Sequence, residues 1–303
     1  MLDLWDNISL PYEDRKQEFS STLHVIGFIV DPNAMTTTIP DDHTKLLSSI
    51  SNFLNITNTD HRHTLHEFQA LVSYVNWALN VYILGRPGLS TLYSKIAGKT
   101  KPNAHIYLNI TIIYKLRWLS NYIMSAPPLH IFSPVFWDPL EACVAGLHQL
   151  DVFTDASPVG LAYYFPSLDL AYHTPLPPNP PSDTIFWFEA LAIRSTIDHA
   201  ADVYVCNFSP KLNRLLVSTD SMDSICMFNS CHAKPSYKTL LISSIDVHIC
   251  SSLDVHVRHI ARKDNTITNT ISRKKFTLAL WLIPNLTILT FTPPRDALGA
   301  SPQ

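Results

Sequence analysis

Glycine is scarce in this chain, seven in 303 residues. None forms a phosphate-cradling loop or a nucleophile elbow, which sets aside phosphate-loop nucleotide chemistry and the G-x-S-x-G hydrolases. Cysteine is sparser still. The five present, Cys143, Cys206, Cys226, Cys231 and Cys250, are odd in number and contain no C-x-x-C pair. That pattern suits reduced intracellular thiols, not a disulfide framework or a zinc site. No excess of positive charge exists: the net charge of −3 gives no global pull toward nucleic acid or an anionic membrane, so any basic surface must be local. The opening MLDLWDN lacks the basic and apolar regions of a signal peptide, so the N-x-T triplet at residues 109–111 reads as incidental. No long hydrophobic run is present either. The longest, residues 276–291, is short for a membrane span and broken by Pro284. The expectation is an intracellular chain, cytoplasmic or nuclear, neither secreted nor membrane-bound. What the chain does have is 46% hydrophobic and 16% charged residues, enough for one large or two modest globular domains with real cores.

Two textures divide it. Residues 23–30, LHVIGFIV, read as a strand that meets a turn at Asp31-Pro32-Asn33 and pairs with residues 34–39 as a hairpin. Helical stripes follow over residues 45–54, 65–82 and 108–123, the last ended by Pro127 and Pro128. After a proline-spotted connector the order changes. Residues 150–154, 160–165 and 168–173 read as three short strands, and a five-proline loop ends them. Then come a helix over 184–199, a strand over 214–219, helices over 221–230 and 237–250, an alternating strand over 253–258 and a short helix over 266–274. Three strands, then helix, strand, helices, strand and helix describe an α/β fold, a mixed sheet flanked by helices.

Three acids take special places in that layout. Asp155 ends the first of these strands in VFTDASPVG, Glu189 lies inside the apolar helix IFWFEALAI, and Asp220 follows the fourth strand. Taken singly, Asp155 reads as an Asx-turn residue and Asp220 as a helix N-cap, while Glu189 can snorkel or pair with Arg194. Together they read differently. A carboxylate in an apolar helix is costly unless it is paired or binds a cation. Three carboxylates converging at one sheet end suit Mg²⁺, and two such ions can activate water and stabilise a leaving oxygen in phosphodiester cleavage.

The motifs TDAS (residues 154–157), Glu189 in its helix, STDSMDSICMFNS (218–230) and RHIARKDNTITNTISR (258–273) resemble the ribonuclease H domain of retrotransposon polyproteins, especially of fungal elements. The last is similar to a family pattern of His-Ile-Pro-Gly-Lys-Asp-Asn followed by Ala-Asp-Ala-Leu-Ser-Arg. Upstream, TLHVIGFIVDPNAMTTTIP resembles the segment closing a reverse transcriptase palm, and TLHEFQALVSYVNWALNVYILGRPGLSTLYSKIAGK resembles the helices after it. The resemblance spans residues 2–295. It implies a palm remnant at 1–58, a thumb- or connection-like helical region at 59–139, a ribonuclease H-like domain with a five-stranded mixed sheet at 140–275, and a tail at 276–303. It also implies cleavage of the RNA strand of RNA:DNA hybrids with two Mg²⁺ ions, or Mn²⁺, held by Asp155, Glu189 and Asp220.

The resemblance breaks at its fourth acid, which is Asn269 here; the site set is therefore Asp155, Glu189, Asp220 and Asn269, one charge short. Asp264 and Asp223 are neighbours that either compensate or belong to the surface. The family's Pro-Gly is replaced by Ala261-Arg262. A catalytically inactive remnant that at most binds nucleic acid is the competing reading. No polymerase activity is expected, because the chain begins after the place of the Tyr-x-Asp-Asp hairpin, and Asp41-Asp42 reads as helix first-turn acids. DHRHTLHEF, with His61, His63 and His66, lacks the second histidine of H-E-x-x-H, and Thr64 with Glu67 fits a capping box instead. Cys226 and Cys231 read as core filling. Basic residues gather late, and Arg258, Arg262, Lys263, Arg273 and Lys274 are the candidate nucleic-acid contacts, with a solvated charged face as the alternative.

Overall fold

The structure, a computed structural model, describes residues 20–40, 44–55, 62–126, 128–130, 149–178, 180, 184–205 and 214–298. Cys143, Cys206, Asp41, Asp42 and His61 lie outside them. The N-terminal half begins with strands β1 (Leu23–Val25), β2 (Phe28–Asp31) and β3 (Thr36–Thr38), joined antiparallel and completed by β6 (Leu129–His130). LHVIGFIV is thus two strands and not the single one expected. Ile26 and Gly27 both take positive φ, 50° and 82°, which makes a two-residue hairpin turn. Trp77 leaves little room there: a Cβ on Gly27 would sit 3.3 Å from its ring.

The expected helical stripes are present as α1 (Thr44–Leu54), α2 (Leu65–Ala78) and α4 (Ile110–Ser125). Between the last two lie α3 (Arg86–Ile96), opened by Pro87 in its first turn, and a ribbon of β4 (Arg62–Thr64) against β5 (His105–Tyr107) that periodicity alone did not separate. Caps place the helix starts. Asn109 accepts the Ile112 N–H at 2.9 Å, and Thr64 and Glu67 form the expected reciprocal capping box. His63 is no ligand. Its ring stacks on Phe53 at 3.6 Å, and its Nε2 lies 2.8 Å from the Phe53 carbonyl oxygen.

The second half is built on a sheet of order β11-β10-β7-β8-β9-β12. Its strands are β7 (Gln149–Ala156), β8 (Gly160–Phe165), β9 (Leu170–Pro175), β10 (Arg214–Thr219), β11 (Asp254–His259) and β12 (Thr287–Thr290). β7, β8 and β9 run antiparallel in sequence, whereas β10 joins β7 in parallel and β11 joins β10 in parallel. The five expected strands are all there. A sixth comes from the tail, because β12 pairs in parallel with β9, and Pro284 separates it from helix α9 (Phe276–Leu282). No described helix is long and apolar enough to cross a membrane.

The remaining helices are α5 (Ile185–His199), α6 (Met222–Ser230), α7 (Lys238–Ser251) and α8 (Thr266–Ser272). Alternation along β8 assigns the two faces of the sheet. Leu161, Tyr163 and Phe165 pack into the main core with Trp187, Leu191 and Ile245 of α5 and α7, while Ala162 and Tyr164 pack with Ile271 of α8 and Ala279 of α9. β10 has no exposed residue, as a central strand covered on both faces should not. The main core continues into the N-terminal helices, where the Trp118 indole N–H donates to Asp246 at 2.5 Å. Cys231 is buried as expected. Cys226 is exposed, which corrects the core-filling reading, because it lies on the outer face of α6.

α8 is pinned to the sheet by a buried side chain. Asn265 donates from Nδ2 to the Thr154 carbonyl at 2.8 Å, and the Thr268 hydroxyl donates to its Oδ1. Asn265→Ala should therefore lower stability by about 1–3 kcal/mol, since a buried hydrogen bond goes and a second group loses its acceptor. Urea unfolding should show an earlier midpoint at an unchanged m-value.

Candidate functional site

Strand register brings the first two acids level. The β10–β7 ladder pairs Ser218 with Phe153, and two residues further along each chain stand Asp220 and Asp155. Neighbouring parallel strands carry residues of equal register on one face, so both carboxylates leave the same sheet edge. Glu189 arrives from the other layer. It sits in the second turn of α5, a helix capped by Thr184 and buried from Trp187 to Ile197. One ligand oxygen from each of Asp155, Glu189 and Asp220 lies within 4.8 Å of the others.

Asp155 and Glu189 are 3% and 6% exposed, so water can do little to stabilise their charge. Burial first, then the nearby Asp155 and Asp220 charges, push the Glu189 carboxyl up to about 9; an Ala156 N–H bond and Arg262 oppose this only partly. Asp155 rises to about 6, again mainly by burial, against a Ser272 hydroxyl bond of 2.5 Å and the opposing pull of Arg273 and Arg262. The alternative partner for Glu189 is otherwise engaged. Arg194 bonds Asp198 at 2.9 Å, Asp296 at 3.4 Å and the Ser243 hydroxyl at 2.6 Å.

Glu189 Oε2 is buried and has no hydrogen-bond partner. An orphaned carboxylate oxygen facing two more carboxylates fits a hard divalent cation, for which an all-oxygen donor set is the matching chemistry. Asn269, in α8, differs in kind. Its Nδ2 donates to the carbonyls of Asn265 at 2.8 Å and Arg262 at 3.2 Å, which turns Oδ1 away from them, buried and without a partner. Asp223 and Asp264 do not join the acid group among the described residues, and both are exposed.

The five candidate nucleic-acid contacts separate into two sets. Arg262, Lys263 and Arg273 line one cleft together with Asn269 and Lys275. Arg258 does not; its Nε bonds the Ser218 hydroxyl at 3.0 Å. Lys274 also stays out of that cleft, in a left-handed turn with φ of 58°. Sequence reasoning missed Ser272, whose hydroxyl holds Asp155 across 117 positions of chain, because no local pattern marks so distant a partner.

The sequence matches no protein-family model and no curated protein. Among solved structures, the chain is similar to ribonuclease H1 of the halophilic archaeon Halobacterium salinarum, at 12% identity and a TM-score of 0.35, over 43% of this chain and 99% of that one. It is also similar to the N-terminal ribonuclease H domain of a Mycobacterium tuberculosis protein, at 12% identity and a TM-score of 0.33, over 45% of this chain and 98% of that one. Likeness at those scores carries no argument by itself. The mixed α/β assignment stands on the strand order and the layering of helices described above.

The raised carboxyls have a consequence for stability. Between the ordinary value of 4.5 and about 9, the cation-free folded state keeps a proton on Glu189 that the unfolded chain has lost. Stability is therefore full below about pH 4.5 and falls as pH rises through that window. Glu189→Gln should remove most of the slope and stabilise the cation-free protein by on the order of 1–3 kcal/mol at neutral pH. Urea unfolding in chelator at several pH values reads this directly; parallel slopes for both proteins would contradict it.

Proposed function

We propose that this chain is a retroelement-derived ribonuclease H-like protein that hydrolyses the RNA strand of RNA:DNA hybrids. The observation that carries the reading is the convergence of three carboxylate oxygens within 4.8 Å at one sheet edge, with one buried oxygen left unpartnered. Asp155, Glu189 and Asp220 would hold divalent cations, Mg²⁺ or Mn²⁺. When bound, such ions supply an activated water and charge stabilisation at the leaving oxygen.

The chain's own groups do the positioning. The Ala156 N–H orients Glu189, and the Ser272 hydroxyl, itself fixed because its carbonyl accepts from Ser157 at 2.8 Å, orients Asp155. Arg262, Lys263 and Arg273 line a neighbouring cleft where phosphates of the hybrid can be held, and the wide minor groove of the hybrid presents 2′-hydroxyls toward such a site. Arg258 and Lys274 stand outside that cleft, and any contact they make with nucleic acid lies elsewhere. The retroelement origin rests on the motif resemblance, which also supports reading residues 1–58 and 59–139 as the end of a polymerase palm and its connection.

Asn269 favours a second reading. A neutral amide whose nitrogen is tied to two carbonyls offers an oxygen without charge, so three carboxylates must balance the bound cations. On this reading the chain is an inactive remnant that binds nucleic acid without cutting it.

Hybrid cleavage by the purified chain in Mg²⁺ and in Mn²⁺ decides between them. The nuclease reading expects cleavage of the RNA strand, a loss of roughly 100-fold or more in Glu189→Gln, and a gain in Asn269→Asp. Equal background rates in all three proteins would leave the inactive remnant as the answer.

A further inference from the structure

A cleft beside α8 is linked to the acid site through Arg262 and Arg273, which line it and act electrostatically on Asp155. Arg262, Lys263, Arg273 and Lys275 line it, Leu278 of α9 closes its far side, and no acidic side chain enters the lining. In a chain of net charge −3 that is a marked local excess of positive charge. Helix α9 then presents an outward apolar face. Trp281 is 75% exposed, beside Leu278 at 44% and Leu282 at 38%. Its inward face is already used, with Ala279 buried in the second core and Phe276 against the His173 ring at 5.1 Å. A tryptophan left in water next to a row of cations is the pairing that single-stranded nucleic acid uses: charge for the phosphates, and an aromatic face for a base.

We propose that this cleft and the outer face of α9 form a track for single-stranded nucleic acid running out from the acid site. The phosphate path that begins at the hybrid on Arg262, Lys263 and Arg273 continues past Lys275 as a single strand, and Trp281 stacks a base. Continuity selects nucleic acid over an acidic peptide: Asn269 lines the same cleft, and Arg262, whose carbonyl holds the Asn269 amide, acts electrostatically on both Asp155 and Glu189. The track leans on the proposed function only for where the strand comes from; binding along it requires no cleavage.

The test is fluorescence anisotropy of the whole chain in chelator, where no hybrid is cut. A blunt hybrid is compared with the same hybrid carrying a single-stranded extension, over a range of salt. The extension should tighten binding by roughly fivefold to tenfold. Trp281→Ala should bring that ratio back toward one and Trp281→Phe should keep most of it, while circular dichroism monitors folding. Replacing both Arg273 and Lys275 by Ala should flatten the salt slope for the extended hybrid by about 1.4. The track is overturned if blunt and extended hybrids bind equally, if Trp281→Ala leaves the ratio intact, or if a polyglutamate peptide and not the extension binds in a Trp281-dependent way. A chain that prefers the extension but never cuts in Mg²⁺ or Mn²⁺ keeps the track and loses the nuclease; one that cuts without the preference does the reverse.

Discussion

The desolvation of Glu189 is the constraint around which the second half of the molecule is arranged. Its helix buries eleven consecutive residues, and a single carboxylate among them is tolerable only where the helix meets the end of the sheet. There the Ala156 N–H reaches one oxygen, and nothing in the described chain reaches the other. The two aspartates nearby worsen the electrostatics of the cation-free protein. The nearest arginine on the same helix is tied to Asp198, Asp296 and Ser243, so among the described residues only Arg262 and Arg273 are left to offset the three acids electrostatically, and Glu189 answers its burial by holding a proton well above the usual carboxyl range.

The helix α8 is the second element of the arrangement. Asn265 and Ser272, at its two ends, fasten it to Thr154 and Asp155 of β7, while Ile271 fills the space under Ala162 and Tyr164. This seat brings Arg273 within electrostatic reach of Asp155, sets Asn269 in the basic cleft, and leads the chain into α9. Next in sequence after α9, β12 extends the sheet by pairing with β9. The Ser272 contact to Asp155 and the basic cleft are thus both borne by one short helix.

Much of the layout was legible in the sequence. Strands such as GLAYYF and RLLVST, the capping box at Thr64 and Glu67, and the helical stripes follow from local periodicity and local hydrogen bonding, which a linear reading can see. The misreadings have local causes too. Ile26-Gly27 escaped notice as a turn because an isoleucine at positive φ runs against its propensity; its side chain is exposed, and it is the flanking Phe28, stacked on Trp77 at 5.0 Å, that packs. Cys226 was expected inside because helical spacing does not by itself say which face of α6 meets the core.

By itself the sequence determined which acids were available and that one of them stood in an apolar helix where charge is costly. It also determined the element order, because period and turn chemistry are local properties. Only the tertiary structure decided that Asp155 and Asp220 share one register, that Arg194 is spent elsewhere, that Ser272 holds Asp155, and that Arg258 and Lys274 stand apart from the cleft of Arg262, Lys263 and Arg273. Apart from the Arg194–Asp198 pair, which is four residues apart, those facts depend on contacts between distant parts of the chain, set by strand pairing and by which face each helix buries, as Arg194 with Ser243 and Asp296 illustrates.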